Sequence, residues 1–257
     1  ESDLPSAVSL VELFDDDIAG DPHAVAGRWD KNDSLMVRWI PGVPREAGGL
    51  GALVGQGATA PLRIDLRRDG PHALVGGTTG SGKSEFLQTW ILGMAVEHSP
   101  DRLTFLLVDY KGGSAFGDCV TLPHTVGLVT DLTPHLVKRA LISLRSELKR
   151  REEILAAKGA KDLVTLEERG DHDAPPSLVI VIDEFAALVT EVPEFVDGVI
   201  DIAQRGRSLG LHLVMATQRP AGVIKESLRA NTNLRVALRV ADEADSQDVL
   251  GIDRAAH

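Results

Sequence analysis

Gly77-Thr78-Thr79-Gly80-Ser81-Gly82-Lys83-Ser84 fits the pattern G-x-x-x-x-G-K-[ST]. Before it, Ala73-Leu74-Val75-Gly76 reads as a short buried strand. After it, the residues from Glu85 to Leu92 carry apolar side chains at helical spacing. A loop of small residues between a strand and a helix is what a phosphate-binding loop requires. Its successive backbone N–H groups curl around an anion, and the helix that follows points its positive end at the same place. The candidate phosphate-binding residues are therefore Gly77, Thr78, Thr79, Gly80, Ser81, Gly82, Lys83 and Ser84, with Glu85 opening the helix. Lys83 is placed to reach the β- and γ-phosphates, and the Ser84 hydroxyl to hold Mg²⁺.

About one hundred residues later, Ser177-Leu178-Val179-Ile180-Val181-Ile182 ends in Asp183-Glu184. An unbroken run of β-branched residues predicts a central parallel strand buried on both faces. Carboxylates at the end of such a strand stand at the sheet edge where α/β proteins bind ligands. Asp183 is the candidate Mg²⁺ partner from that side, acting through water, and Glu184 the candidate that orients or deprotonates an attacking water.

The 257 residues suffice for one large α/β domain with a small addition. Hydrophobic and charged contents of 43% and 25% are those of a soluble globular protein. Cys119 is the single cysteine, so no internal disulfide can form, and a reducing cytoplasm is the simplest setting. No apolar run is long enough to span a bilayer, and the acidic start lacks the pattern of a signal peptide. The abrupt ends read as those of a piece of a longer chain, which leaves a membrane anchor to be sought outside it. The eight histidines show no metal-ligand spacing. A net charge of −11 does not suit generic adhesion to a nucleic-acid backbone. One stretch runs the other way: Arg219, Lys225, Arg229, Arg235 and Arg239 face only Glu226.

From Pro71 onward, strands and helices alternate. Strands are predicted at 73–76, 103–109, 125–130, 178–183, 211–217 and 234–240, and helices at 84–97, 133–158, 193–209 and 242–250. This alternation predicts an α/β fold, a mostly parallel sheet with helices on both faces. Residues 1–70, with Gly/Pro turns and the alternating Leu62, Ile64 and Leu66, read as a small β-rich N-terminal extension on a core formed by 71–257. The polar stretch Gly159–Pro176 reads as a mobile surface connection.

Three further groups are singled out. Gln218 ends the 211–217 run, where an amide can sense a γ-phosphate or simply close a turn before Pro220. Asp109 and Lys111 follow the second strand and either approach the nucleotide or pair with each other. Arg145, on the charged side of the long helix, and Arg205 and Arg207, at the end of the 193–209 helix, are rival candidates for an arginine that crosses to a neighbour's γ-phosphate, the alternative for the long helix being that its charges form a solvated face.

Together these pieces resemble the FtsK/SpoIIIE family of ring-forming P-loop motors. The motifs are Gly76–Ser84, Asp109-Tyr110-Lys111-Gly112-Gly113, Leu122-Pro123-His124, Val181-Ile182-Asp183-Glu184-Phe185, Gly206–His212 and Ala216-Thr217-Gln218-Arg219-Pro220, in the family's order. The resemblance implies a RecA-like P-loop NTPase core, ATP hydrolysis with Mg²⁺, and hexamers or tandem ATPase modules that thread a polymer through a pore. In the family's DNA pumps the cargo is duplex DNA. In its type VII secretion branch it is protein, exported across the bacterial inner membrane, which would place this piece on the cytoplasmic face. Asp109–Phe116 and Leu122–His124 look more like the secretion branch; Ala230–Val236 and Asp245-Ser246 look closer to the DNA pumps. Three readings stay open: a DNA-moving motor, a secretion motor indifferent to DNA, and a nucleotide-holding assembly module without turnover.

Overall fold

The computed structural model describes residues 7–110, 112, 114–219, 230–240 and 243–251. Helix α1 (Pro22–Lys31) opens with proline at its first position, after Asp21, whose side chain accepts the His23 N–H at 2.9 Å. An antiparallel hairpin follows, β1 (Gly51–Gln56) and β2 (Pro61–Asp65). Asp65 ends it by capping the short α2 (Leu66–Asp69) through the Arg67 and Arg68 N–H groups.

The core then alternates: β3 (Ala73–Gly76), α3 (Lys83–Glu97), β4 (Leu103–Asp109), β5 (Thr125–Val129), α4 (Pro134–Ala157), α5 (Leu163–Glu168), β6 (Ser177–Asp183), α6 (Phe185–Glu191), α7 (Pro193–Gly206), β7 (Leu211–Thr217) and β8 (Leu234–Ala237), with a last helix Glu243–Leu250. The six core strands lie in the order β5-β4-β6-β7-β3-β8, and every pairing between them is parallel. Strand β7 is thus inserted between β3, which feeds the Gly77–Ser84 loop, and β6, which ends in Asp183.

Side chains alternate across the sheet and build two cores. Leu178, Ile180 and Ile182 of β6 pack with Leu211, Leu213 and Met215 of β7 against α4, α6 and α7. Val179 and Val181 face the other way with Val214 and Ala216, and there they meet α3 and the β1–β2 hairpin. The predicted two-faced α/β sheet is present. The predicted bounds hold for β3, β4 and β7, while β8 stops at Ala237, short of the expected Val240.

The stretch Gly159–Pro176 is not a mobile surface connection. It contains α5, with Leu163 and Leu166 buried in the core, and Ala174 is buried beyond it. Its polarity misled because its charges are paired inside. Glu167, 2% exposed, accepts from Arg67 at 2.7 and 3.1 Å and from Arg102 at 2.9 Å, and its carbonyl takes Arg45 at 3.1 Å. The network ties segments from the N-terminal region to the core. Helix α1 was also missed; none of its residues is buried, so it shows no strong apolar stripe, and it is held through Trp29 Nε1, which donates to the Ala95 carbonyl at 2.9 Å.

At the amino ends of β3 and β7, two buried histidines lace the strands. His72 Nδ1 accepts the Leu213 N–H at 3.0 Å, so the proton sits on Nε2, which donates to the Ala203 carbonyl at 3.2 Å. His212 Nδ1 donates to the Pro71 carbonyl at 2.9 Å. Burial pushes the His72 ring down to about 4 and the His212 ring to about 3. Both are therefore neutral when folded, while in the unfolded chain each takes up a proton below its ordinary value of about 6.5. The stability they allow is present above that value and is lost as pH falls toward 4 and 3. Between pH 7 and pH 5, each histidine is expected to cost about 2 kcal/mol of folding free energy. Urea midpoints at the two pH values measure the loss, and His212→Asn should retain less of it; a midpoint that does not move would contradict this account.

Candidate active site

The loop after β3 is pinned from both neighbouring strands. Gly77 N–H donates to the Thr217 carbonyl of β7 at 3.1 Å. Thr78 donates to the Arg239 carbonyl, just beyond β8, from its N–H at 2.8 Å and its hydroxyl at 3.1 Å. Glycine is required at two points for different reasons. A side chain at Gly77 would stand 2.5 Å from Ser81 Oγ. Gly82, which caps α3, has φ +88°, a left-handed conformation. Beyond that cap, the first-turn amides of α3, those of Lys83, Ser84 and Glu85 among them, have no carbonyl within the helix to bond. Ser81 Oγ is buried without a hydrogen-bond partner among the described residues.

Lys83, 6% exposed, crosses from α3 to the end of β6. Its Nζ donates to Asp183 Oδ1 at 2.6 Å and to Glu184 Oε1 at 2.9 Å. Glu184 holds φ +56°, a left-handed backbone that a residue with a long side chain adopts at a cost. That turn lets the chain leave β6 and enter α6 while both carboxylates stay at the sheet edge. On β7's side, Thr79 Oγ1 donates to Gln218 Oε1 at 3.1 Å, so the amide reaches the Gly77–Ser84 loop.

These groups border one cavity of about 510 Å³. Every predicted residue from Thr78 to Glu85 lines it except Ser81, and so do Asp183, Glu184 and Gln218. Gly77 lies buried behind the loop. Asp109, Gln88, Ser114 and Ala115 form a wall, three of whose residues fall in the Asp109–Phe116 stretch, while no motif singles out Gln88. Lys111 and the segment from Pro220 to Arg229 lie outside the described residues. Arg145 is exposed on α4 and Arg207 exposed after α7; neither borders this cavity. Arg207 sits before the start of β7, at the opposite end of the sheet, beside a second cavity of about 420 Å³ that His212 also lines.

The donor set fits a nucleotide triphosphate with magnesium. It offers helix-start amides, one buried ammonium, and hard oxygen groups (Ser84, Asp183) that border the same cavity. The sequence profile of the FtsK/SpoIIIE family matches residues 46–222. The chain is a member of the FtsK/SpoIIIE family. It is 36% identical over 261 residues to the ESX secretion system protein YukB of Bacillus subtilis, a match covering 99% of this chain and 17% of YukB. The chain thus spans about a sixth of the length of such relatives. Among solved structures, the cytoplasmic domain of the type VII secretion ATPase EccC of Thermomonospora curvata superposes with a TM-score of 0.76 at 33% identity, covering 98% of this chain and 29% of EccC. The pCW3 conjugation coupling protein TcpA, solved with ATPγS, gives 0.68 at 25% identity over 84% of this chain and 63% of TcpA. Among the described residues, no helix of this FtsK/SpoIIIE domain is long and apolar enough to cross a membrane.

Removing the ammonium should be felt before any nucleotide arrives. Lys83→Ala leaves two largely buried carboxylates facing each other without their cation. The nucleotide-free protein is then expected to lose about 3 kcal/mol, read as a lower urea midpoint at unchanged slope; an unaltered midpoint would show that the contact adds nothing.

Proposed function

We propose that this domain binds and hydrolyses Mg-ATP between the Gly77–Ser84 loop and the end of β6, as one motor module of a type VII secretion-type translocase that moves protein. The observation that carries the reading is the contact of Lys83 with Asp183 and Glu184. It brings the cation that binds phosphate to the two acids that serve metal and water.

In this reading Lys83 occupies the two carboxylates until a triphosphate draws it away, which frees Asp183 and Glu184 together. The amides of Thr79, Gly80, Gly82, Lys83, Ser84 and Glu85 would hold phosphate oxygens, those of Gly77, Thr78 and Ser81 being already bonded to carbonyls of the chain and so not available as expected, and Ser84 and Asp183 would hold Mg²⁺. When bound, the metal would neutralise phosphate charge. Glu184 takes a proton from a water whose oxygen bonds to the γ-phosphorus. The bond from that phosphorus to the bridging oxygen breaks, and ADP leaves with that oxygen while inorganic phosphate forms. Gln218, hydrogen-bonded to Thr79, reports the presence of the γ-phosphate. The module works beside other copies or tandem modules, in a ring such as a hexamer, at the cytoplasmic face of the bacterial inner membrane. Arg145 or Arg207 of one module completes a neighbour's site. Their distance from the cavity of their own chain suits action in trans.

Protein cargo is favoured over DNA by the −11 charge and by the secretion proteins among the relatives. Arg235, part of the one basic stretch, is turned to its own backbone: it donates to the Thr232 carbonyl at 3.2 Å and to that of Val249 at 3.5 Å. The intact Asp183-Glu184 pair argues for turnover rather than passive nucleotide holding.

Lys83→Ala is expected to abolish binding of a fluorescent ATP analogue. Glu184→Gln should bind ATP and retain it, with turnover reduced about a hundredfold or more; wild-type turnover in Glu184→Gln would remove it from the base role. Duplex DNA should leave the ATPase rate of the assembled motor unchanged at low and high salt, whereas stimulation with a steep salt dependence would establish the DNA-pump reading instead.

A further inference from the structure

Asp109 ends β4, and in the parallel pairing of β4 with β6 its register partner is Asp183. The two carboxyl groups leave neighbouring strands at the same level of the sheet edge. Asp109 is 3% exposed and borders the same cavity as Lys83, Ser84 and Asp183. Its position is set from the loop that follows. Asp109 Oδ2 accepts the Ala115 N–H at 3.3 Å, and the Ala115 carbonyl accepts from Gln88 Nε2 at 2.9 Å. Gln88 lies four residues after Ser84 on α3, on the same helix face. The helix that carries the Ser84 hydroxyl therefore also fixes, through Ala115, where the Asp109 carboxylate stands.

We infer that Asp109 is a positioning residue for magnesium: it accepts hydrogen bonds from the metal's water shell rather than binding the ion. The inference rests on the Mg-ATP reading above and adds a residue to it. Adjacent strands stand about 4.8 Å apart. Neighbouring oxygens in an octahedral magnesium shell, with bonds of about 2.1 Å, are only about 3 Å apart. Carboxylates from adjacent strands at one register level are thus suited to share the outer water shell of one ion, Asp109 meeting it through water. Magnesium keeps several of its waters when bound to protein, and such waters need acceptors.

The test is the magnesium dependence of nucleotide binding, which needs no turnover. A fluorescent, non-hydrolysable ATP analogue is titrated into wild type and Asp109→Asn, with magnesium and with chelator. Asparagine keeps the shape and an acceptor for the Ala115 N–H but loses the charge. The variant should bind the metal-free analogue as wild type does, lose about tenfold of the tightening that magnesium gives, and recover as magnesium is raised. Gln88→Leu, which releases Ala115, should shift the response in the same direction by less, and it stands in should Asp109→Asn fold poorly. A wild-type magnesium response in Asp109→Asn overturns the inference and leaves the ATP site standing. Equal weakening with and without magnesium overturns it too, because the residue then only shapes the loop. Wild type that binds no analogue at all removes the nucleotide reading and this inference together.

Discussion

The ammonium of Lys83 holds together two parts of the chain that are 100 residues apart, with Asp183 at 2.6 Å and Glu184 at 2.9 Å. The geometry around it follows from making that contact possible. It requires β3 and β6 in one sheet with their carboxyl ends level, and β7 between them as a spacer of fixed width. It also requires a glycine cap at Gly82, so that α3 starts with its lysine aimed across the edge. A lysine this buried is tolerated because two acids face it. In the proposed Mg-ATP site the same pairing would make the pocket responsive, since a triphosphate competing for the ammonium would uncover both acids.

The two ends of the sheet divide the labour. The amino ends are built for stability: His72 and His212 are locked as neutral rings between β3, β7 and α7, and Glu167 gathers Arg67 and Arg102 beneath α5. At the carboxyl ends the chain spends stability. Glu184 sits in a left-handed turn, Ser81 Oγ is buried without a partner, and like-charged carboxylates crowd one edge. Strain and unsatisfied groups of this kind persist where the surrounding packing over-determines them, and here that packing is the fully buried β6 and β7 on both sides of the pocket.

Much of this was legible in the sequence because the decisive features are local. The glycine-lysine loop, the β-branched run into Asp183-Glu184 and the run into Gln218 each state their own conformation, and the sheet edge collects them. What escaped depends on partners distant in sequence. The polarity of Gly159–Pro176 gave no sign that Glu167 would meet two arginines from 65 and 100 residues away. The bonds from Thr78 to the Arg239 carbonyl required knowing that β8 flanks β3. The placing of Asp109 beside Asp183 is a matter of register, and no spacing within either segment encodes it. Helix α1 has no buried face to leave a periodic trace.

Charge around the pocket bears on how far a single chain can go. Among the described residues that line the cavity, Lys83 is the only lysine or arginine. A triphosphate with one magnesium carries a net charge of about −2, and charge spreads over the γ-phosphoryl oxygens as the bond to the leaving group loosens. One ammonium and a set of helix-start amides suffice to bind such a ligand. They are a sparse complement for the transition state, where an added guanidinium can be worth orders of magnitude in rate. The exposed arginines stand away from this pocket, Arg207 at the far end of the sheet and Arg145 along α4. Under the proposal that Arg145 or Arg207 acts on a neighbour, the missing cation would come from an adjoining copy. The proposed trans arginine would then make assembly set the chemical rate, leaving the isolated domain a better binder of nucleotide than a catalyst.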